Sequence, residues 1–351
     1  MMILSLINNM KANKKILITG GAGFIGHHFI SFILRNTDWD IVSLDRLDFS
    51  GSLERLREVI LPGDESRIKI VFHDLKAPIS EFNAKMIGSD IDYIVHFAAS
   101  SHVDRSIEDP LSFIMDNVVG TTNLLNFART LPTLEKFINF STDESMGAAA
   151  PGEFHKEWSP HKPSNPYAAS KAGQEDIGYA FFVTYGLPVI TTHTMNNFGE
   201  RQHPEKLIPK AIRCTLNKEK MPIFSEIVDG QLKSVGSRVW IYTEDTCDAI
   251  KFILEKGVPG EKYNVIGFDE KTNEDVVKEV SNVIMSNLKD DEVGRKIEIE
   301  YIDFHKSRPG HDRRYALDGS KLRELGWTPK YSFEEAIKKV VEFSLRNPKW
   351  Q

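Results

Sequence analysis

Tyr167 and Lys171 stand four residues apart in the run Tyr167-Ala168-Ala169-Ser170-Lys171. On a helix, positions i and i+4 share a face, so an ammonium would lie beside a phenol. A free tyrosine ionises near pH 10. A neighbouring cation lowers that value and makes the phenol a usable general base. Asp143 and Glu144 form a second reactive pair, directly after Ser141 and Thr142. A hydroxyl there can hold the substrate oxygen that the tyrosine deprotonates. Oxidation of an alcohol needs only hydroxyl, tyrosine and lysine. Two adjacent carboxylates add a proton donor and a proton acceptor, which elimination of water requires. A third group is Gly20-Gly21-Ala22-Gly23-Phe24-Ile25-Gly26. Gly20, Gly23 and Gly26 have GxxGxxG spacing, and Gly21, Gly23 and Gly26 have GxGxxG spacing. Such a loop supplies a positive-φ turn, close approach to a pyrophosphate and tight helix–strand packing. Phe24 and Ile25 open a helix whose N-terminal N–H groups favour an anion.

These groups need elements that bring them together. Lys15–Thr19 is a short apolar run ending in the glycines and reads as a buried strand, and Phe24–Arg35 has helical spacing. Asp40–Asp45, Arg67–Phe72, Ile91–Phe97 and Lys136–Phe140 read as further strands, with helical stretches between most of them. The alternation predicts a parallel sheet covered on both faces. Right-handed crossovers then place the strand C-termini along one edge, where ligands bind. Asp45 ends the second strand at the distance from the glycines where an acid accepts from adenosine ribose hydroxyls and repels a 2′-phosphate. NAD is therefore favoured over NADP, although Arg46 beside it keeps NADP open. Asp74 and Leu75 after the third strand, and Ala98 and Ala99 after the fourth, complete the expected cofactor wall. Asp74 suits the adenine amino group, and the alanines let a dinucleotide pass closely.

Farther on, Pro151–Pro166 reads as a loop, Tyr167–Tyr185 as a long helix and Leu187–Thr192 as a strand. Beyond Asn196 come Pro-broken segments and helices at Asn273–Leu288 and Ser332–Arg346. The expected organisation is an extension at 1–13 and a nucleotide-binding domain at 14–196, with 236–268 returning to it. Segments 197–235 and 269–351 form a smaller lobe.

The chain has 351 residues, 41% hydrophobic and 27% charged, ample for a buried core. Its 44 Lys and Arg against 50 Asp and Glu give a net charge of -6, which speaks against nucleic acid or an anionic membrane as partner. Cys214 and Cys247 are too few for a disulfide framework, and no Cys/His spacing suggests a metal. No run approaches the roughly 20 apolar residues of a membrane helix. The first ten residues lack a basic n-region and a small-residue cleavage site, so they do not read as a signal peptide. A reducing, cytoplasmic setting is expected.

At this point the chain resembles the extended short-chain dehydrogenases/reductases, and among them the dTDP-glucose 4,6-dehydratase type of nucleotide-sugar enzyme. The resemblance runs from about Lys14 to Pro329. It is carried by ITGGAGFIG (Ile18–Gly26), SHVDRSI (Ser101–Ile107), STDE (Ser141–Glu144), NPYAASKA (Asn165–Ala172), PEKLIP (Pro204–Pro209) and RPGHDRRYALD (Arg308–Asp318). It implies a Rossmann-type doubly wound parallel sheet with a smaller C-terminal α/β substrate-binding lobe. It also implies tightly bound NAD, recycled in each turnover of an NDP-glucose. In that scheme Tyr167 takes the 4-hydroxyl proton while hydride leaves C4, and Thr142 holds the 4-oxygen. Lys171 tunes the tyrosine and bonds the ribose. Glu144 removes the C5 proton, Asp143 protonates the departing 6-hydroxyl, and hydride returns to C6.

His102, Asn197, Glu205, Lys206, Leu207, Arg238, Asn273, Arg308 and His311 match positions that bind the sugar nucleotide, with Tyr315 nearby. A homodimer is implied, through a four-helix bundle built from Asp109–Leu131 and Tyr167–Tyr185. Alternatives sharing the C4 oxidation are a 4-epimerase and a 4,6- or 5,6-dehydratase of an NDP-hexosamine. The sequence departs from the family pattern at Ser145-Met146 (usually Val-Tyr), at Ser100 (usually Glu), at Ser307 (usually an acid) and through Gly152–Lys162.

Overall fold

The computed structural model describes residues 13–228, 230–287, 297–304 and 312–351. The expected N-terminal extension, Ser307, Arg308 and His311 lie outside the described residues. In chain order the strands are β1 (Lys15–Thr19), β2 (Asp40–Asp45), β3 (Ile68–Phe72), β4 (Tyr93–His96), β5 (Lys136–Thr142) and β6 (Val189–Thr194). They continue as β7 (Asn196–Phe198), β8 (Lys220–Val228), β9 (Gln231–Ser234), β10 (Ser237–Tyr242), β11 (Lys262–Val265), β12 (Glu270–Thr272) and β13 (Glu298–Asp303).

Seven strands form one sheet in the order β11-β6-β5-β4-β1-β2-β3, with every pairing parallel. The β1 sequence explains its central place. Ile16, Leu17 and Ile18 are fully buried, and alternation sends them to opposite faces. Ile16 and Ile18 pack with Phe29, Ile30 and Ile33 of the helix Phe24–Asn36, while Leu17 joins Leu124, Leu125 and Phe137 on the other face. The result is three layers, helix on sheet on helix, as the alternating pattern implies. The strand order reverses between β1 and β4, and there the C-terminal ends open a crevice. β5 runs on through Ser141 and Thr142, which pair with His193 and Thr194 of β6. The Ser141 and Thr142 hydroxyls therefore sit on the sheet itself.

A smaller lobe holds two three-stranded sheets, β12-β10-β7 and β13-β8-β9. Phe198, Ile212, Met221, Trp240, Val277 and Ile337 share its core. Its last helix, Phe333–Arg346, starts at a capping box between Ser332 and Glu335. Segment 236–268 divides between the two parts. β10 pairs with β7 and β12 in the lobe, whereas the helix Thr243–Lys256 and β11 pack on the large sheet. Leu322 and Trp327 also join the large-sheet core.

The helix expected over Asp109–Leu131 is a relay of three pieces: Pro110–Ile114, a π-turn at Met115–Val119, and Gly120–Ala128. Within that turn Asn117 Nδ2 donates to the Ser100 carbonyl (3.0 Å) and to Ser170 Oγ (2.8 Å), tying it to the tyrosine helix. That helix, Pro166–Tyr185, starts where the Asn165 side chain accepts from Ala168 N (2.8 Å) with Pro166 in its first turn, and it ends at Gly186, whose φ is 68°. No described helix is long and apolar enough to cross a membrane.

Candidate active site

A cavity of about 840 Å³ opens at the C-terminal edge of the large sheet. All twelve positions expected to meet a cofactor line it: Gly20, Gly23, Phe24, Ile25, Gly26, Asp45, Asp74, Leu75, Ala98, Ala99, Tyr167 and Lys171. The glycines explain its floor. Gly20 has φ +69°, and a Cβ there would lie 2.8 Å from Ala98 N. A Cβ on Gly26 would lie 2.1 Å from the Gly20 carbonyl oxygen. The helix Phe24–Asn36 begins without a side-chain cap, so its first-turn N–H groups are left for whatever fills the cavity. Asp45 is fixed by Leu47 N (2.7 Å) and Ala22 N (3.0 Å), and burial raises its pKa. Arg46 is occupied: it pairs with Asp48 at 2.7 Å and with Asp116 at 2.5 Å.

The reactive groups cluster at the end of β5. Thr142 Oγ1 donates to Asp143 Oδ1 (2.9 Å), while Asp143 Oδ2 is buried with no partner among the described residues. Burial raises the Asp143 pKa, against the Thr142 bond and the Arg238 charge. Glu144 is pushed up to about 7, first by burial and then by Asp143. Opposing this are Arg238 and hydrogen bonds to Glu144 Oε2 from Asn165 Nδ2 (3.4 Å) and Tyr315 Oη (3.3 Å). Tyr167 is hydrogen-bonded to Thr142.

The lowering expected of Tyr167 is absent. Burial and the Glu144 charge hold its pKa above the ordinary value. Lys171 Nζ donates to the Phe140 carbonyl (2.7 Å) and Gln174 Oε1 (2.6 Å), and burial brings it down to about 7 despite Glu175.

A family model described as GDP-mannose 4,6 dehydratase matches residues 17–340. The chain belongs to the GDP-mannose 4,6-dehydratase family. It is 38% identical to a dTDP-glucose 4,6-dehydratase of Neisseria meningitidis serogroup B over 347 residues, 96% of this chain and 95% of that one. It is 40% identical to a dTDP-glucose 4,6-dehydratase of Xanthomonas campestris pv. campestris, covering 95% of this chain and 94% of that one. Among solved structures, a Streptomyces venezuelae dTDP-glucose 4,6-dehydratase with NAD and dTDP bound superposes at a TM-score of 0.82 and 34% identity, covering 96% and 98% of the chains. A Thermus thermophilus UDP-glucose 4-epimerase in complex with NAD gives 0.80 at 27% identity, covering 95% and 99%.

Family membership sharpens the departures. Ser100 Oγ, where the family usually has a carboxylate, donates to Asp116 Oδ2 at 2.6 Å. Met146, in place of tyrosine, is buried among Met195, Val239, Tyr315 and Leu317 and so backs the acid pair.

Of the positions expected to meet substrate, His102, Glu205 and Lys206 line the cavity. Glu205 accepts from Arg105 Nη2 (3.1 Å) and lies 3.7 Å from His102 Nε2. Asn197, Leu207, Arg238 and Asn273 are not on its wall. Asn197 is spent on structure, accepting from Thr246 Oγ1 (2.5 Å) and donating to the Met195 carbonyl (3.0 Å). Leu207 packs against the lobe core, and Asn273 Nδ2 donates to the Val235 carbonyl (3.4 Å). Arg238 stacks on the Tyr315 ring at 4.6 Å, close to the acids.

Three contributors were not singled out by sequence reasoning. Asn165 is one, although Asn-Pro ahead of a helical run is a start signal. Asn117 and Ser106 Oγ, which accepts from Tyr167 N (3.0 Å), carry no local signal. Among the described residues no group of three or more His, Cys, Asp and Glu could hold a metal ion.

Proposed function

We propose that this chain converts an NDP-glucose, dTDP- or UDP-glucose, to the 4-keto-6-deoxy sugar nucleotide, with NAD retained throughout the turnover. One observation carries the reading: Asp143, buried, and Glu144, half-buried, stand together at the end of β5, beside Thr142 and Tyr167. An epimerase or simple dehydrogenase has no use for two adjacent carboxyls that both hold their protons more tightly than usual.

NAD fits the cavity floor, where Cβ atoms on Gly20 or Gly26 would collide with backbone. Gly23, Phe24 and Ile25 would meet its pyrophosphate, Asp45 its ribose, Asp74 and Leu75 its adenine, and Ala98, Ala99 and Lys171 the passage toward the acids. Bound there, NAD supplies the acceptor and donor of the hydride that leaves C4 and returns at C6. With the positive charge of bound NAD beside it to offset burial and the Glu144 charge, Tyr167 Oη would take the 4-hydroxyl proton, and Thr142 Oγ1 would hold that oxygen. The new ketone acidifies C5–H, and a Glu144 oxygen accepts that proton. Asp143, whose burial raises its pKa and so favours the protonated form, gives its proton to the departing 6-hydroxyl. Glu144 later returns a proton to C5. Steps of this kind are worth about 10²–10⁴ each in rate.

The same reading assigns His102, Glu205, Lys206 and Arg238 to the sugar nucleotide, joined by Arg308 and His311. Arginine can hold a diphosphate bidentately. It also reads the active unit as a homodimer. The relay at 110–128 packs on the helix Pro166–Tyr185, and the two expose Leu111, Ile114, Tyr179 and Val183 to a second copy. The cytoplasm is the expected location, since Cys214 and Cys247 are unpaired thiols.

The test is to incubate the purified chain, without added NAD, with dTDP-glucose, UDP-glucose and their N-acetylhexosamine counterparts in heavy water. The reading requires loss of one water and gain of one deuterium at C5 with an NDP-glucose. An unchanged mass with an inverted sugar, or a product lacking the C6 methyl, overturns it.

A further inference from the structure

Arg46 follows Asp45 directly at the end of β2, where an arginine commonly accommodates a 2′-phosphate. In this molecule the guanidinium is already spoken for. Nη1 and Nη2 donate to the two carboxylate oxygens of Asp116 at 2.5 and 2.9 Å. Nε and Nη2 donate to Asp48 Oδ2 at 3.0 and 2.7 Å. Asp74 Oδ1 lies 3.5 Å from Nη1. One bidentate fork and a second carboxylate fill the donor edges through which an arginine grips phosphate.

Asp116 is the unexpected member. It comes from the π-turn Met115–Val119, seventy positions along the chain from Arg46. Its side chain is 9% exposed and is itself held by Ser100 Oγ at 2.6 Å. Lys76 is a second cation on this wall, 3.3 Å from Asp74 and 4.0 Å from Asp116. Asp45, Arg46, Asp48, Asp74, Lys76 and Asp116 all line the large cavity. Arg55 lines it too, held by the Ser50 carbonyl and acting on Asp45, so four carboxylates face three cations, still an excess of negative charge where a 2′-phosphate would have to sit.

We infer that Asp116, held by Ser100, sets the choice of dinucleotide by clamping Arg46 away from a 2′-phosphate. The inference rests on reading the cavity as a dinucleotide site. Asp45 discriminates at the ribose hydroxyls; Asp116 adds a second, remote discrimination by disarming Arg46, the arginine next to Asp45 in the chain. Specificity of this kind is built by repulsion and occupied partners rather than by new contacts to the preferred ligand.

The test equilibrates the full chain with an equal mixture of NAD and NADP, desalts it, and quantifies the retained dinucleotides by mass spectrometry. The native protein should retain NAD in large excess. Asp116→Asn keeps the shape and an acceptor for Ser100 but removes the charge. It should shift the retained ratio toward NADP by roughly tenfold or more, the scale expected when a close like charge is removed. Adding Arg46→Ala to that variant should cancel the shift, which ties the effect to the freed guanidinium. A ratio that moves by less than about twofold while NAD is still retained overturns the inference alone. Native protein that retains neither dinucleotide overturns the reading of the cavity, and this inference with it.

Discussion

Glu144 and Asp143 are neighbours in sequence with opposite assignments, and their surroundings allow both. Asp143 is buried and Glu144 half-buried, each has a raised pKa, and only Glu144 receives hydrogen bonds from Asn165 and Tyr315. Those bonds favour its carboxylate, the form a base must take. Two variants separate the roles. Glu144→Gln should lose roughly 10²–10⁴ in kcat and abolish deuterium wash-in at C5. Asp143→Asn should lose dehydration while the C5 position still exchanges with solvent. Wash-in retained in Glu144→Gln would contradict the assignment.

The pH dependence follows from the same residues. Glu144, raised to about 7, is protonated and idle as a base below that pH, so kcat/KM should climb as pH rises through it. Lys171, lowered to about 7, loses its charge above it, so activity should fall again on the alkaline side. A narrow bell near neutrality is expected, with the acid limb missing in Glu144→Gln. A flat profile between pH 5 and 9 would be incompatible with these environments.

At the scale of elements, the glycine turn is the tightest constraint. Gly26→Ala would drive a Cβ against the Gly20 carbonyl oxygen and prise the helix Phe24–Asn36 off β1. A cost of about 1–3 kcal/mol in a denaturant melt is expected, with loss of retained dinucleotide. An unchanged melt would mean the turn relaxes freely. This part of the molecule was legible because strand, turn and helix are contiguous: Ile16-Leu17-Ile18, the glycines and Phe29-Ile30 announce one unit. Asp45 was legible for the same reason. The π-turn was not, since apolar spacing over Asp109–Leu131 fits one unbroken helix and the bulge exists to aim Asp116 and Asn117 inward. Nor was the buried cluster at Glu175, which accepts from Ser141 Oγ (2.6 Å) and Lys262 Nζ (3.0 Å) and lies 2.8 Å from His193 Nε2. Its members come from four elements, and only packing brings them together. The side-chain partner of Asn197 was not legible either: its motif matched, and only the fold shows Thr246 Oγ1 donating to it.

For the whole molecule, two cores meet along the crevice, and the chemistry draws on both. Thr142, Asp143, Glu144 and Tyr167 come from the large-sheet side, whereas Arg238 and Tyr315 reach the acids from the lobe side. Association should extend the pattern. If two copies meet through the 110–128 relay and the helix Pro166–Tyr185, the protein should sediment at twice its 39.9 kDa chain mass. Leu111→Glu, at a side chain that is 68% exposed, should then give a folded monomer. Sedimentation unchanged by that substitution would place any dimer elsewhere.

The central claim is that one active site oxidises C4, eliminates water and reduces C6 without releasing the hydride. Substrate carrying deuterium at C4 tests it most directly. With dTDP- or UDP-glucose so labelled, in ordinary water, the account predicts that the deuterium is found at C6 of the dehydrated product. Deuterium still at C4, or missing from the product, would contradict it.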